Sequence, residues 1–265
     1  MHPNARVIWR NMLRNEGFAL VTGAAHRIGR EIVLYLSKQG YNIVIHYRDS
    51  LEEAEKTMQI ALDSGAASVH LIHRDLFCYE AARTLVSDAV AITGMQCWLL
   101  VNNAAVFEND SFPMATFDSM EKHMRVNFYA PWVLSQDFYQ GVIESKNTSD
   151  VNVAYNFCIV NLIDKMVMDL RKDFFSYNIS KKCLWFLTQI MASTMSPDVR
   201  VNAIAPGMIV KNSRQSEYHF QSIRSEAPLG SSGECEDICG ALDYILKAKA
   251  VTGQLLMIDG GMHLQ

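Results

Sequence analysis

The sequence predicts an α/β domain in which one parallel sheet of about seven strands carries helices on both faces. Short apolar runs rich in β-branched residues, typical of buried parallel strands, recur along the chain. Segments with helical periodicity separate these runs, so strands and helices alternate. A glycine-containing turn joins the first strand to the first helix. Together these features predict a single doubly wound domain of the Rossmann type.

The composition is that of a globular protein with a large core. The chain has 265 residues, of which 49% are hydrophobic and 20% are charged, and its formal net charge is -4. Because no stripe of lysine and arginine occurs, we do not expect nucleic acid as a partner. Because no apolar run approaches about 18 residues, we do not expect a membrane span.

The six cysteines indicate a reducing compartment, and we expect a cytoplasmic protein. They fall mostly within apolar strand or helix patterns, as small buried side chains do. Cys235 and Cys239 have i, i+4 spacing, but no nearby histidine or second cysteine pair completes a zinc site. His70 and His73 also lack partners, so we predict no metal.

Residues 1–16 contain Arg6, Arg10 and Arg14 but no apolar segment of the kind found in secretory signals. We expect a disordered N-terminal extension here, and a true start at Met12 is an alternative. The folded domain is then predicted over residues 17–265.

The first strand (18–21) leads into a turn (22–29) and a helix, and the second strand (41–45) follows. Such a unit binds dinucleotides, because the helix N-terminus offers free N–H groups and a positive dipole end to a pyrophosphate. The glycines depart from the usual G-x-G-x-x-G spacing, so the flanking strand and helix carry the prediction. The predicted cofactor contacts in this turn are Gly23, Arg27, Ile28 and Gly29.

The residues after the second strand indicate which dinucleotide binds. An acid here would favour NAD by accepting a hydrogen bond from the ribose 2′-OH, whereas a cation suits a 2′-phosphate. His46 and Arg48 stand here, so we predict NADPH. Asp49 keeps NADH open, although Asp49 and Ser50 could simply cap the next helix. The predicted contacts are His46, Tyr47, Arg48 and Ser50.

Two later strands add candidate contacts. A helix over about 51–64 precedes the third strand (68–72), and Asp75 and Leu76 follow it, where they would meet the adenine edge of the cofactor. A helix over about 79–93 precedes the fourth strand.

The fourth strand (98–101) is followed by Asn103 and Ala104, small residues that let a ligand approach the backbone. Phe107 could offer its flat face to a ring, with ordinary loop packing as the alternative.

Residues 117–143 have helical periodicity, with Asn127 between two apolar residues. An asparagine here is usually solvent-facing, but it could equally interrupt the backbone ladder and hold a water. A polar loop over 144–150 then leads to the fifth strand, predicted over 157–164.

Three titratable residues could converge near the end of the fifth strand. Asp164 ends that strand, and Tyr177 and Lys181 lie four residues apart on one face of a helix that continues through Met191. A nearby ammonium favours the phenolate and lowers the phenol pKa from about 10, which suits proton transfer near neutral pH. The same spacing also occurs by chance in many helices, so the rest of the chain has to support this interpretation.

The sixth strand (199–204) precedes a polar segment, 211–226, which we predict to be a mobile substrate lid. A helix over 234–247 and a last strand over 255–258 complete the domain.

Over about residues 18–261 the chain resembles the short-chain dehydrogenase/reductase family. The motifs, in order, are Thr22-Gly23…Gly29, Asp75-Leu76, Asn102-Asn103-Ala104, Asn127, Tyr177…Lys181, Val201-Asn202…Pro206-Gly207 and Thr252-Gly253…Asp259-Gly260-Gly261. The resemblance implies that Tyr177 donates or accepts the proton. It implies that Lys181 binds the nicotinamide ribose and lowers the Tyr177 pKa, and that Asn127 helps hold a proton-relay water. It also implies cofactor contacts from Pro206, Gly207 and Ile209, and a homotetramer.

Two departures from the family pattern narrow the resemblance. Arg27 stands where most members have glycine, and Asp164 stands where most have serine, thirteen residues before the tyrosine. At both positions the chain is similar to pteridine reductases and bacterial dihydromonapterin reductases. In those enzymes an aromatic residue that matches Phe107 stacks on the pterin. The stretch from His46 to Ser50 is similar to their NADPH-binding segment. Ile209 differs, because a serine often stands there.

The resemblance therefore implies an NADPH-dependent reductase that transfers hydride to a C=N bond of a pterin, namely dihydromonapterin, dihydrobiopterin or dihydrofolate. The ring nitrogen would be protonated through Tyr177 and Asp164, and Arg27 and Phe107 would contact the substrate. A general carbonyl or 3-oxoacyl-thioester reductase is the first alternative, and a non-catalytic NADP-binding regulatory module is the second. The structural alternative for Asp164 is that its side chain caps the start of the loop that follows the fifth strand.

Overall fold

The computed structural model of the chain describes residues 17–148, 156–169, 172–211 and 216–265. Within these residues, seven parallel strands form one sheet in the order β3-β2-β1-β4-β5-β6-β7. The strands are Gly17–Val21 (β1), Asn42–Tyr47 (β2), Ser68–His73 (β3), Gln96–Asn102 (β4), Cys158–Leu162 (β5), Arg200–Pro206 (β6) and Leu255–Ile258 (β7). The order reverses between β1 and β4, where doubly wound sheets bind their ligands. The predicted fold class is confirmed.

The helices of the described residues flank this sheet. They are Arg27–Lys38 (α1), Leu51–Asp63 (α2), Tyr79–Ala82 (α3), Leu85–Thr93 (α4), Phe117–Met124 (α5), Ala130–Thr148 (α6), Phe175–Thr194 (α7), Glu217–Ser225 (α8) and Cys235–Lys247 (α9). Among the described residues, every helix is too short or too polar to cross a lipid bilayer.

The central strands are buried on both faces, which is why their sequences are continuous apolar runs. All five residues of β1 are buried, and Leu20, Leu99 and Ile159 from three adjacent strands are fully inaccessible to solvent. Ile32 and Leu36 of α1 belong to the same core. Burial on this scale fixes the position of each strand's carboxyl end, where the candidate site residues lie.

The helix predicted over 79–93 is divided into α3 and α4. The break coincides with a cap supplied from elsewhere in the chain. Asp137 of α6 accepts hydrogen bonds from the first free amides of α4, those of Val86 and Ser87, both at 2.9 Å. Sequence periodicity could not reveal this division, because the capping carboxylate lies far along the chain.

The helix predicted over 117–143 is interrupted by a π-helical segment, Arg125–Tyr129, between α5 and α6. Asn127 lies within this segment and is fully buried. The solvent-facing interpretation of Asn127 is therefore wrong, and the alternative of an interrupted backbone ladder agrees with the structure. Such π-helical turns are frequent at functional sites.

Three predictions fall wholly or partly outside the described residues. The N-terminal extension, 1–16, lies outside them, and so do residues 212–215 of the segment predicted to be a lid and residues 149–150 of the polar loop predicted over 144–150. Residues 144–148 belong to α6, so the loop prediction is wrong for them. The rest of the segment predicted to be a lid contains α8, in which Phe220 is buried and Tyr218 is exposed. Its role as a lid stays a prediction.

Candidate active site

Asp164, Tyr177 and Lys181 converge at the carboxyl end of β5. The Tyr177 hydroxyl donates to Asp164 Oδ2 at 2.9 Å, and Asp164 Oδ1 accepts from the Met166 amide at 2.8 Å. Lys181 Nζ donates to the Leu162 carbonyl oxygen at 2.7 Å and lies 5.8 Å from the centre of the Tyr177 ring. Tyr177 and Lys181 are buried. The structure thus brings together the three titratable groups that the sequence singled out.

Burial controls the protonation of this cluster. Burial and then the neighbouring Asp164 carboxyl raise the pKa of Tyr177 well above its usual value. Burial also raises the pKa of Asp164, despite hydrogen bonds from Met166 and Tyr177 and the charge of Lys181. Burial lowers the pKa of Lys181 to about 8, although Asp164 opposes the change. Burial and Asp164 therefore set the direction of the Tyr177 shift, so Tyr177 is a protonated acid at neutral pH, and the lowering of its pKa by Lys181 stays a prediction.

Asp164 also acts as a cap. Its hydrogen bond from Met166 caps a short 3-10 helix, Lys165–Met168, so the capping alternative is correct for one carboxyl oxygen. The other oxygen faces Tyr177. One carboxyl group therefore serves both the local turn and the proton-transfer cluster.

Asn127 connects the cluster to the loop after β4. Its side-chain oxygen accepts from the Val106 amide at 2.8 Å, and its amide group donates to the Val106 carbonyl oxygen at 2.9 Å and to Ser180 Oγ at 3.0 Å. Val106 precedes Phe107, and Ser180 precedes Lys181. Asn127 thereby fixes the loop of Phe107 relative to the helix that carries Tyr177 and Lys181.

Phe107 lies beside the cluster and has an aromatic neighbour that the sequence did not indicate. Its ring stacks on Phe174 with 4.5 Å between centroids and 7° between planes, and it meets Tyr177 edge-on at 4.7 Å. Phe107 is 41% exposed, so part of it is free to contact a flat ligand. Loop packing, the alternative interpretation of Phe107, explains the face that Phe174 covers but not the exposed part of the ring.

The turn after β1 is a tight cradle. Gly23 has a φ of +62°, a conformation that side chains disfavour. A Cβ atom added at Gly29 would lie 2.5 Å from Asn103 Nδ2 and 2.7 Å from the Gly23 carbonyl oxygen. Helix α1 begins here without a side-chain cap or an acid in its first turn, so its free amides suit an anion.

Asn103 and Thr22 hold this turn together. The Asn103 side-chain amide donates to the carbonyl oxygens of Thr22 and Gly23 at 2.8 and 3.0 Å. Thr22 Oγ1 accepts from the amides of Asn103 and Ala104 at 2.9 and 3.0 Å. Thr22 was not among the predicted site residues, although a threonine at a strand end is a common capping signal.

Arg27 joins the turn to the chain after β6. It has a φ of +58°, which explains why a glycine is the easier residue at this position. Its guanidinium donates to the carbonyl oxygens of Val210 at 3.1 Å and Lys211 at 3.3 Å, and burial lowers its pKa. Both contacts border the segment predicted to be a lid.

His46 does not present a cation to a phosphate. It is buried, its Nδ1 accepts from the Gly23 amide at 3.0 Å, and its Nε2 lies 3.0 Å from the Arg74 carbonyl oxygen. Burial lowers its pKa to about 4, so the ring is neutral at pH 7. The side chain of His46 therefore supports the turn, and the cofactor contact predicted for His46 stays a prediction.

The other residues predicted near the 2′-phosphate lie on the surface. Arg48 is half-exposed and pairs with Asp49 at 2.6 Å, while Tyr47 packs against His73. Ser50 precedes α2 but makes no side-chain cap, so the predicted capping role is wrong for Ser50. Arg48 is thus the cation that this end of β2 presents to a ligand.

Asp75, one of the two predicted adenine contacts, borders a cavity of about 400 Å³. Arg48, Asp75, Val106 and Val126 help to line it, and the Asp75 carboxylate accepts from the Phe77 amide at 3.0 Å. Leu76, the other predicted adenine contact, is buried.

The remaining predicted cofactor contacts follow β1 and β6. Ile28 packs on the core at the start of α1. Pro206 ends β6, and the Gly207 amide donates to the Ile258 carbonyl oxygen at 2.8 Å. Ile209 is buried in the main core, so its side chain supports the loop.

Comparisons with known proteins agree on the class of fold and differ in the activity that they suggest. A family model described as enoyl-(acyl carrier protein) reductase matches residues 23–263. A Streptomyces violaceoruber protein named as a ketoacyl reductase of the granaticin polyketide synthase is 30% identical, and the match covers 93% of this chain and 96% of that protein. The 3-oxoacyl-(acyl-carrier-protein) reductase FabG of Aggregatibacter actinomycetemcomitans is 25% identical, over 92% of this chain and 98% of FabG.

A similar solved structure is named for a different activity. The FolM alternative dihydrofolate reductase 1 of Brucella canis, crystallised with NADP, is 33% identical to this chain, with a TM-score of 0.86. The match covers 96% of each chain.

Proposed function

The chain belongs to the short-chain dehydrogenase/reductase family, and from that premise we propose that it is an NADPH-dependent reductase acting on a C=N bond of a pterin or folate. The observation that carries the proposal is the hydrogen bond of 2.9 Å between Tyr177 Oη and Asp164 Oδ2. Ketone reducers of the family usually place a serine hydroxyl at this position. A carboxyl group can hold and release a proton, which reduction at a ring nitrogen requires.

The residues of the cluster suit proton delivery to a nitrogen. Tyr177 stays protonated because burial and Asp164 raise its pKa, so it can transfer its hydroxyl proton to N5 of the pterin. After Tyr177 has given up its proton, Asp164, whose pKa is also raised, would take up a proton from solvent and pass it from Oδ2 to the tyrosine oxygen 2.9 Å away. Lys181 supplies a nearby positive charge that stabilises negative charge on the pair. NADPH, when bound, supplies the hydride for the adjacent carbon.

The turn after β1 fits a dinucleotide. The close packing around Gly29 leaves no room for a side chain, and the uncapped start of α1 presents free amides. Arg48 would meet the 2′-phosphate, and Asp75 and Leu76 would lie at the adenine end. The Brucella canis structure, which has NADP bound, supports NADPH as the cofactor of this chain.

A flat substrate ring fits beside Phe107. The parallel stack with Phe174 covers one face of Phe107, Tyr177 meets the ring edge-on, and the side chain of Phe107 still remains 41% exposed. We propose that this exposed part contacts the pterin ring. Arg27, which reaches Val210 and Lys211, would then lie on the side of the proposed lid.

The named relatives favour a second candidate function, 3-oxoacyl-thioester reduction. The Streptomyces and Aggregatibacter proteins are named as ketoacyl and 3-oxoacyl reductases. Tyr177, Lys181 and Asn127 would serve that reaction equally well, whereas Asp164 would have no special part in it. A non-catalytic NADP-binding module is the least supported candidate, because the buried proton-transfer cluster is complete.

The test is oxidation of NADPH, followed by absorbance, with four substrates in parallel: dihydromonapterin, dihydrobiopterin, dihydrofolate and a 3-oxoacyl thioester. Turnover of a pterin or folate without turnover of the thioester is the expected result. Turnover of the thioester alone would reject pterin reduction in favour of the second candidate. If none of the four substrates supports NADPH oxidation, neither candidate function is favoured, and the enzyme would have a different acceptor.

A further inference from the structure

We propose that Asp110 is a positioning residue of this site: its carboxylate caps the helix that carries Tyr177 and couples that helix to the loop that carries Phe107. The proposal relies on the proposed function only for the choice of assay substrate. Asp110 does not reach the reacting atoms itself, and it acts through the placement of Tyr177.

Helix α7 has no cap of its own. Its N-cap residue is Phe174, which has a φ of +55° and offers no side-chain acceptor, and its first turn contains no acid. The amides at the start of a helix have no partner within the helix and need acceptors from elsewhere. The catalytic helix therefore depends on the rest of the fold for its first turn.

Residues 109–110 supply these acceptors. The Phe174 amide donates to Asn109 Oδ1 at 3.3 Å, and the Phe175 amide donates to the Asp110 carbonyl oxygen at 3.3 Å. The Ser176 amide donates to Asp110 Oδ1 at 2.9 Å, and Tyr177 is the next residue. Three consecutive amides are thus satisfied by two consecutive residues of the loop after β4.

The second oxygen of Asp110 binds a different helix. Ser119 Oγ of α5 donates to Asp110 Oδ2 at 2.7 Å. Burial tends to raise the Asp110 pKa, but hydrogen bonds from Ser176 and Ser119 outweigh it, and the pKa is lowered overall. The group is therefore a charged carboxylate, which is the favoured charge at a helix N-terminus.

The same loop meets the helix start at further points. Phe107 stacks on Phe174, Phe112 meets Phe175 edge-on at 5.4 Å, and Ser111 forms an isolated bridge with Asp173. The proposed ring contact at Phe107 and the proton donor at Tyr177 therefore belong to one packed unit. Removal of the Asp110 cap would let these two groups shift relative to each other.

The chain contains a matched control for this cap. Asp137 accepts from the Val86 and Ser87 amides, so it caps α4 from a distant helix in the way that Asp110 caps α7. Helix α4 carries none of the residues that we assign to the site. Loss of either carboxylate removes a helix cap, but only the loss of Asp110 affects the placement of Tyr177.

The experiment compares Asp110→Ala, Asp110→Asn and Asp137→Ala with the parent protein. We measure kcat and KM for the substrate that the parent turns over, the Kd for NADPH by fluorescence, and the urea midpoint. Because small misplacement of reacting groups is costly, we expect Asp110→Ala to lower kcat about 10- to 100-fold. We expect its Kd for NADPH to stay unchanged and its substrate KM to rise. Asp110→Asn, which keeps an acceptor oxygen, should recover most of kcat.

Asp137→Ala should lower the urea midpoint as much as Asp110→Ala does and keep kcat within about twofold, since it removes a cap of the same kind. Equal losses of kcat in Asp110→Ala and Asp137→Ala would overturn the proposal, and so would an unchanged kcat in Asp110→Ala. If the parent turns over the thioester but no pterin, the proposed function fails while the same comparison still tests Asp110. If no substrate is found, hydrogen exchange of residues 174–181 decides, and equal exchange in Asp110→Ala and the parent would overturn the proposal.

Discussion

The hydrogen bond between Tyr177 and Asp164 joins two acids that both retain their protons to higher pH than usual. In a reduction the site must lose a proton to the substrate, so acids that keep their protons are better donors at neutral pH than ionised ones. A serine hydroxyl at position 164 could also donate a hydrogen bond, but it is a far weaker acid than a carboxyl group and would return a proton to the tyrosine less readily. The carboxyl group therefore gives this site a second acid.

The first prediction concerns this carboxyl. Asp164→Ser should lower pterin turnover at least about 100-fold, because it removes the second acid of the pair. It should leave any thioester turnover equal or higher. Asp164→Asn, which keeps the acceptor for the Met166 amide, separates loss of the acid from loss of the cap. Full pterin turnover by either variant in the NADPH assay would exclude the proposed role of the carboxyl.

The second prediction concerns the pH dependence that Lys181 imposes. Its pKa is lowered to about 8, so its positive charge is present below that pH and is lost as the pH rises through it. We expect kcat/KM to fall above a pH of about 8 for this reason. In Lys181→Arg the charge persists, since the arginine pKa lies above about 12, and the alkaline limb should move to higher pH. A pH–rate profile with the same alkaline limb in both proteins would contradict this assignment.

The identities of Asp164, Tyr177 and Lys181 could be predicted from the sequence, because one lies at a strand end and two share a helix face. Their pKa values could not, since burial dominates them and burial depends on the whole fold. The neutral state of His46 could not be predicted for a related reason. Its partners, Gly23 and Arg74, are distant in the chain, and they turn a candidate cation into a neutral support.

Among the elements, the turn between β1 and α1 depends most on close packing. At Gly29 a side chain would collide with Asn103 and with the backbone of Gly23. Helix α9 offers a contrast, because a Cβ atom added at Gly240 would meet nothing within 4 Å.

The third prediction uses these two glycines. Gly29→Ala should weaken NADPH binding at least about tenfold and lower the free energy of unfolding by about 1–3 kcal/mol, because the overpacked turn must open. Gly240→Ala should raise that free energy by about 0.5–1 kcal/mol, since alanine is the better helix residue, and leave NADPH binding unchanged. Fluorescence titration and urea unfolding measure both effects. If Gly29→Ala binds NADPH as tightly as the parent protein does, the proposed role of the turn after β1 in cofactor binding is contradicted.

The helix boundaries show where sequence periodicity stops being informative. Helix α7 has the predicted amphipathic pattern, but nothing near Tyr177 in the sequence points to Asp110 as its cap. Asn109 and Asp110 are residues that often cap helices, so the signal was present, whereas the helix that they cap was not identifiable. Likewise, the π-helical segment around Asn127 depends on contacts with Val106 and Ser180 that form only in the fold.

At the scale of the whole molecule, helix α7 leaves an apolar stripe uncovered. Ile179, Phe186 and Ile190 lie on one face of this helix and are 38%, 65% and 44% exposed. Tyr129 and Trp132, beside the start of α6, are each 42% exposed. Aromatic and aliphatic surfaces of this kind suit association with a second copy of the chain.

The fourth prediction is that this stripe mediates the homotetramer expected for the chain. Phe186→Glu should yield smaller species in size-exclusion chromatography with light scattering, because a charge would be buried at the interface. Tyr218→Glu is the control, since Tyr218 is 85% exposed but lies on α8. A monomeric parent protein, or an unchanged assembly in Phe186→Glu, would contradict the prediction.

The sheet itself was predictable almost completely. The apolar runs locate all seven strands of the described residues to within about two residues, because strands buried on both faces must be apolar throughout. The strand order was not predictable from these runs alone, since it depends on which neighbours each strand selects. That order places the carboxyl ends of β1 and β4 side by side, and so brings the turn after β1 against Asn103.

The central position of β1 in the sheet also affects how the chain folds while it is being synthesised. Its first partner, β2, follows shortly after it, but its other partner, β4, is made much later, as the pairing of Gly17 with Gln96 shows. Until then one edge of a wholly apolar strand stays unpaired, which favours association between nascent chains. The many contacts between distant residues also predict slow folding. Production of this protein should therefore benefit from an added chaperone that shields this edge until β4 has been made.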